Sequence, residues 1–175
     1  TRIETPIGDM HIQEYWVKHR AELDISKIRY KDIEKAVPSV KAIKAIRNSD
    51  MIVIAPGNPI SSIGPITSIP LIRKELSLRK EKVVAVSPLI GNAALSGPAS
   101  KYMNAMGIES SPIGIASHYV DFVSNLVISE SDKEYENKIR NIGVNVYKTN
   151  IIMDNEQDEI NLSNYILNLF NKHEL

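Results

Sequence analysis

Met51-Ile-Val-Ile-Ala55, followed directly by Pro56-Gly-Asn-Pro-Ile-Ser-Ser-Ile-Gly-Pro65, decides how the rest of the chain is read. The first five residues are uniformly apolar. They are too few for a helix and too apolar for a strand with one wet face. They predict a buried, central strand of a parallel sheet. The Gly/Pro/Asn/Ser stretch predicts the turn into a helix, with Ser68 as cap and Pro70 in the first turn.

The unit recurs outward from this point. Lys82 to Val86 predicts a second buried strand with Ser87-Pro-Leu-Ile-Gly-Asn92 as its exit loop. Ser96-Gly-Pro-Ala99 opens a helix that ends at Gly107, a left-handed stop. Ser111-Pro112 opens another helix, through Tyr119 and Phe122. Leu126 to Ile128 reads as a third strand. Ser131 or Asp132 caps a charged helix that stops at Gly143. Val144 to Tyr147 and Ile151 to Met153 read as short strands, and Asp158 to His173 as a closing amphipathic helix. Upstream, Ser39 to Asn48 is helical, and Ile28 to Tyr30 is a short strand. Met10 to Arg20 is read as a helix with Ile12, Tyr15, Trp16 and His19 on one face. Aliphatic strands alternating with helices predict a single α/β domain, Rossmann-like, with a parallel sheet and helices on both faces. Residues 1–35 are expected to belong to a helical insertion on the substrate side.

The 175 residues suffice for one domain, with 43% hydrophobic and 24% charged residues. Lys+Arg and Asp+Glu both number 21, which argues against a nucleic-acid binder, since that needs a basic surplus. With no cysteine, disulfides and thiolate metal sites are excluded. No apolar run approaches the roughly 20 residues of a membrane span, and a cytoplasmic location is expected.

Glycine and proline cluster where chemistry is expected. Ten of them lie between Pro56 and Pro98, in two strand-to-helix turns. In an open parallel sheet such turns share the carboxyl edge, where ligands bind. Glycine admits close approach of backbone N–H groups, and Ser61 and Ser62 add hydroxyls before a helix. The pair of loops points to a nucleotide or phosphate site, although one such loop alone is also an ordinary βα turn. Neither a Walker loop nor a dinucleotide fingerprint is present. Lys101 either reaches a phosphate or is solvated. His118 and Asp121 share a helical face and serve either as a base or ligand pair or as a surface pair, and so do His11 and Glu14. Trp16 either stacks on a planar ring or fills the core.

At these loops the chain resembles a known family. Asp50 to Pro65 resembles the signature of the 2-phospho-L-lactate transferases of coenzyme F420 biosynthesis. His11-Ile-Gln-Glu-Tyr-Trp-Val17, Val84 to Gly91 with Gly97-Pro-Ala99, and Gly114-Ile-Ala-Ser-His-Tyr-Val-Asp121 agree in order and spacing. The resemblance implies transfer of a phospholactyl group, or a phosphoenolpyruvyl group in some bacterial members, from a guanosine diphospho-conjugate to the deazaflavin Fo. The products are F420-0, or its dehydro form, and GMP. It implies Mg²⁺ and a homodimer, with no nucleic-acid or membrane partner. On this reading Gly57, Asn58, Pro59, Ser61, Ser62 and Gly64 hold the guanosine diphosphate, through the backbone N–H groups of the Asn58 to Gly64 loop. Asn92, Gly97 and Lys101 support it from the next loop, and Tyr15 and Trp16 wall the deazaflavin side. His118 and Asp121 are the remaining catalytic candidates.

Three departures stand out. Asn92 occupies a place where the family often has a second glycine, and Ser129 one where it often has aspartate. The Gly-rich opening with acidic residues on the metal side has no counterpart, so the chain is expected to begin about halfway through the usual enzyme and to be inactive alone. The alternatives are a UDP-sugar-binding regulatory protein like the gluconeogenesis factors, which have a similar loop, and a non-catalytic scaffold.

Overall fold

A computed structural model describes residues 1–95 and 97–171. Ser96, the residue read as opening a helix, and His173, the predicted end of the last one, lie outside them. At the centre are strands β4 (Ile52–Ile54), β5 (Val83–Val86), β8 (Asn125–Ser129) and β9 (Asn145–Thr149), all parallel, in the spatial order β4-β5-β8-β9. Alternation along β5 and β8 divides the core. Val83, Ala85, Leu126 and Ile128 face one layer. Helices α1 (Val40–Asn48), α3 (Pro70–Ser77), α5 (Pro112–Tyr119) and α6 (Glu136–Asn141) supply Ile43, Ile72, Ile115 and Ile139 to it. Val84, Val86 and Val127 face the other layer, covered by Leu162 and Ile166 of α7 (Glu156–Asn171). The α/β architecture with helices on both faces is the expected one.

Local signals account for most helix ends. The Ser39 hydroxyl accepts the Ala42 N–H at 3.1 Å, and the Ser111 hydroxyl accepts that of Gly114 at 3.2 Å. Pro70 and Pro112 sit in first turns, where no N–H is needed. Gly107 and Gly143 stop α4 (Ala99–Ala105) and α6 at φ +71° and +86°.

Four expectations are corrected. The strand at 52–54 is an edge strand, not a central one, and its Val53 is 45% exposed. Ile151 to Met153 is irregular rather than a strand. Ser68 does not cap the helix that begins at Pro70, where Ile69 stands at the cap; it closes the short helix α2 (Gly64–Thr67) instead. Finally, residues 1–35 are not a helical insertion. Strands β1 (Arg2–Thr5), β2 (Gly8–His11) and β3 (Lys27–Arg29) form an antiparallel sheet of order β2-β1-β3, with short helical turns at Glu14–Lys18 and Ile33–Lys35. Ile3, Met10 and Ile28 are its buried face. A two-residue period with a Pro6-Ile7-Gly8 turn prevails there over the helical spacing of Ile12, Tyr15 and Trp16.

Candidate functional site

The parallel strands bring four loops to one edge, at 55–64, 87–98, 129–135 and 149–155. In the first, Asn58 organises everything. Its side-chain carbonyl accepts the N–H groups of Ile60 and Ser61 at 2.9 and 3.0 Å. Its main-chain carbonyl accepts those of Ser62 and Ile63, and Gly57 N–H donates to Ala55. The expected cradle of outward N–H groups is therefore corrected, since a capping asparagine takes them up internally. Pro59 is buried beneath this turn. What faces outward is the half-buried Ser61 and the exposed Ser62. Gly64 is buried, and a Cβ there would lie 2.0 Å from Tyr30 Oη.

The second loop folds on itself as a small hairpin, β6 (Leu89–Ile90) against β7 (Ala93–Ala94). Ser87, fully buried, anchors it through bonds to Leu89 N and O. Gly91 turns the hairpin at φ +56°, a region costly for a side chain. Exposed Asn92 accepts the Tyr135 hydroxyl at 3.3 Å. Gly97, at φ +62°, lies against the indole of Trp16, 3.4 Å from where a Cβ would stand. Trp16 is 46% exposed, so the structure joins it to the loop as an open aromatic wall.

Two other candidates have different roles. Tyr15 does not wall a substrate. It is fully buried, its ring 6.0 Å from Tyr102, and its hydroxyl lies 2.7 Å from the Leu23 carbonyl. Lys101 is neither solvated nor aimed at a phosphate. Its Nζ donates to the carbonyls of Ala21 and Glu22 at 2.8 and 3.0 Å. Arg20 and Ala21 bend there through positive φ, and the ammonium collects the carbonyls this bend turns inward.

The third loop holds a residue that sequence reading treated only as a cap. Asp132 is 2% exposed and accepts Gly91 N–H at 2.7 Å through Oδ1, while its Oδ2 is buried without a hydrogen bond. Burial raises its pKa, opposed by the Gly91 bond and assisted by Glu134. The cap itself is Ser129, which accepts Ser131 N–H. The signal for Asp132 was its position just past a parallel strand's carboxyl end. The fourth loop closes a cavity of about 220 Å³ over the edge, lined by Pro56, Leu95 and Ile151 to Asp154.

His118 and Asp121 are elsewhere. They end α5, just before β8 begins, and so lie at the amino edge of the sheet. Asp121 is held by Arg73 through paired bonds of 2.6 and 2.7 Å. Burial first, then Arg73, lowers the His118 pKa, against the pull of Asp121. The structure thus places this candidate pair away from the carboxyl-edge loops, with Asp121 in an ion pair beside His118. Among the described residues no three His, Asp or Glu side chains converge as a metal cage. A Mg²⁺ held through substrate phosphates, water and one or two carboxylates needs no such cage.

The profile described as 2-phospho-L-lactate transferase CofD matches residues 1–167. Among curated proteins, the 2-phospho-L-lactate transferase of Methanococcoides burtonii is 40% identical over 97% of this chain and 55% of its own length. That of Methanosarcina mazei is 39% identical over 97% and 55%. That of Methanocaldococcus jannaschii is 40% identical over 95% and 52%. The chain spans about half the length of these relatives.

Proposed function

The chain belongs to the 2-phospho-L-lactate transferase CofD family, and we propose that it forms the nucleotide side of an enzyme that places a phospholactyl group on the deazaflavin Fo. The observation that carries this reading is the family match over residues 1–167. In the proposed reaction the ribityl hydroxyl of Fo attacks the phospholactyl phosphorus of a guanosine diphospho-conjugate. A P–O bond forms, the P–O bond to the GMP moiety breaks, and the hydroxyl proton is released. The product is F420-0, or its dehydro form where the donor carries enolpyruvate. Such transfer asks the protein chiefly for alignment and neutralisation of the leaving phosphate.

The carboxyl edge supports this assignment. The small cavity bounded by Pro56, Leu95 and Met153, with the Asp154 carboxylate in its lining, offers mixed apolar and polar walls for part of a nucleotide. Ser61 and Ser62 are hydroxyl donors on the loop that follows Pro56, and Trp16 with Gly97 offers a flat face for a fused ring. Mg²⁺, a homodimeric state and a cytoplasmic location are part of the same proposal. Thermal shift with GDP, UDP-glucose and Fo, each with Mg²⁺, tests it. GDP is expected to stabilise most. A larger shift with UDP-glucose reverses the assignment to sugar-nucleotide binding, and no shift with any of them favours a scaffold.

A further inference from the structure

Two consecutive non-glycine residues, Arg20 and Ala21, stand at φ +50° and +55°. A Cβ makes that region costly, and such backbone persists only where surrounding contacts over-determine it. Three contacts do so here. The Ala21 N–H donates to the Tyr15 carbonyl at 3.0 Å. The Tyr15 hydroxyl lies 2.7 Å from the Leu23 carbonyl oxygen and 3.1 Å from that of Ala21. Lys101 Nζ donates to the carbonyls of Ala21 and Glu22 and stands 5.8 Å from the Tyr15 ring centroid. Lys101 is carried by the first turn of α4, shortly after Gly97. One short stretch of chain therefore supplies both the ammonium that closes the bend and the glycine that underlies the indole of Trp16. Tyr15 and Trp16 are neighbours in one helical turn, so fixing the buried first ring fixes the direction of the second.

We propose that Lys101 and Tyr15 are positioning residues for Trp16. Through the bend at Arg20 and Ala21 they hold the indole on Gly97, as a preorganised stacking face for the planar fused ring of the acceptor substrate. Neither side chain is placed to touch that ring itself. The Lys101 ammonium is engaged by backbone carbonyls. Tyr15 is 0% exposed, whereas Trp16 is 46% exposed, so one ring anchors and the next is presented. Gly97 completes the arrangement, because it offers no Cβ to an indole that would meet one at 3.4 Å. A face held rigid before its ligand arrives leaves less ordering to be done on binding. The positioning stands on contacts among the described residues. That the occupant is the acceptor's ring rests on the transferase reading proposed above.

Trp16 is the single tryptophan of the chain, so intrinsic fluorescence reports this face alone. The test compares the full chain with Lys101→Met and Tyr15→Phe, both checked by melting. Ser39→Ala, which weakens the fold at the α1 cap instead, is the control. Acrylamide quenching and steady-state anisotropy of the ligand-free protein are read first. Lys101→Met and Tyr15→Phe are each expected to lower the anisotropy. Each should also raise the quenching constant by up to about twofold, the ratio of full exposure to the present 46%, as local opening of the segment would. Ser39→Ala is expected to leave both readings unchanged. A variant at the bend that moves neither reading removes its residue from the role, and both doing so overturns the proposal. An equal change in Ser39→Ala also overturns it, as general loosening. Fo is then titrated against the same emission. The two variants are expected to need at least about threefold more Fo than the parent for equal quenching. Equal quenching of parent and variants at the same Fo concentration overturns the role towards the acceptor. Emission of the parent that Fo leaves unchanged overturns the acceptor-ring reading of Trp16, while the ligand-free readings still decide what Lys101 and Tyr15 hold in place.

Discussion

Replacing Gly64 by alanine places a methyl group 2.0 Å from Tyr30 Oη and 2.8 Å from the Pro59 carbonyl oxygen. Neither separation is tolerable, and only the first can be relieved by moving a side chain. Tyr30 Oη donates to the Ile60 carbonyl at 2.6 Å. Burial pushes its pKa up to about 12, so it remains a donor at every working pH. The hydroxyl thus ties the segment after β3 to the first carboxyl-edge loop. Moving Tyr30 forfeits a hydrogen bond worth about 1 kcal/mol. Overpacking against the Pro59 carbonyl adds about 1–3 kcal/mol. Against these, alanine gains about 0.5–1 kcal/mol over glycine at a helical φ/ψ, which Gly64 has. Gly64→Ala is therefore expected to cost about 2 kcal/mol, or roughly 4–8 °C in Tm for a domain of this size.

Tyr30→Phe alone is expected to cost about 1 kcal/mol, the lost hydrogen bond. In that background the hydroxyl and its 2.0 Å overlap no longer exist, so the alanine should cost about 1 kcal/mol less than in the parent. Urea denaturation of the parent, both single variants and the double variant gives the coupling directly. Additivity within about 0.5 kcal/mol would refute the reasoning, because it would mean that the Tyr30 hydroxyl does not occupy the space beside Gly64.

Two further outcomes follow from polar contacts. Lys101→Met, which keeps the apolar stem, is expected to cost about 1–2 kcal/mol through two charge-assisted bonds at a partly exposed site. Hydrogen exchange should rise at residues 20–23 while GDP binding stays intact, and loss of GDP binding with unchanged exchange would return Lys101 to the phosphate. The Arg47 guanidinium, whose Nε lies 2.9 Å from Oε2, holds the Glu75 carboxyl below its ordinary value of 4.5. A depressed folded-state pKa gives stability that is present above the unfolded value and lost as pH falls through the folded one. The stability difference between the parent and Glu75→Gln should therefore be flat above about pH 6 and fade below pH 4.5. A difference that grows on acidification would reverse this assignment.

The sequence was most informative where neighbours supply what composition demands. Val83 to Val86 and Leu126 to Ile128 read as buried strands and are 0–2% exposed. Ile52 to Ile54 carries the same composition, but its burial depends on a neighbour that composition does not identify, so the strand's place in the sheet was misread. At the amino end, Ile12, Tyr15 and Trp16 match a helix over a single turn, too short to outweigh paired strands closed by long-range contacts. That two loops of the glycine and proline cluster follow the carboxyl ends of parallel strands was legible, and Trp16 beside Gly97 was half legible from the family motif. The hydrogen-bond partners were not. Asp132 meets Gly91 across 41 positions and Lys101 meets Ala21 across 80, and neither pairing leaves a local pattern.

These partners alter what the absence of a charge surplus means. A diphosphate held without lysines requires free N–H donors or hydroxyls. In the first loop the N–H groups of Gly57 and of Ile60 to Ile63 already serve internal acceptors, and Lys101 serves Ala21 and Glu22. The hydroxyls of Ser61, half-buried, and Ser62, exposed, are the donors that this loop leaves for a phosphate besides the Asn58 amide groups.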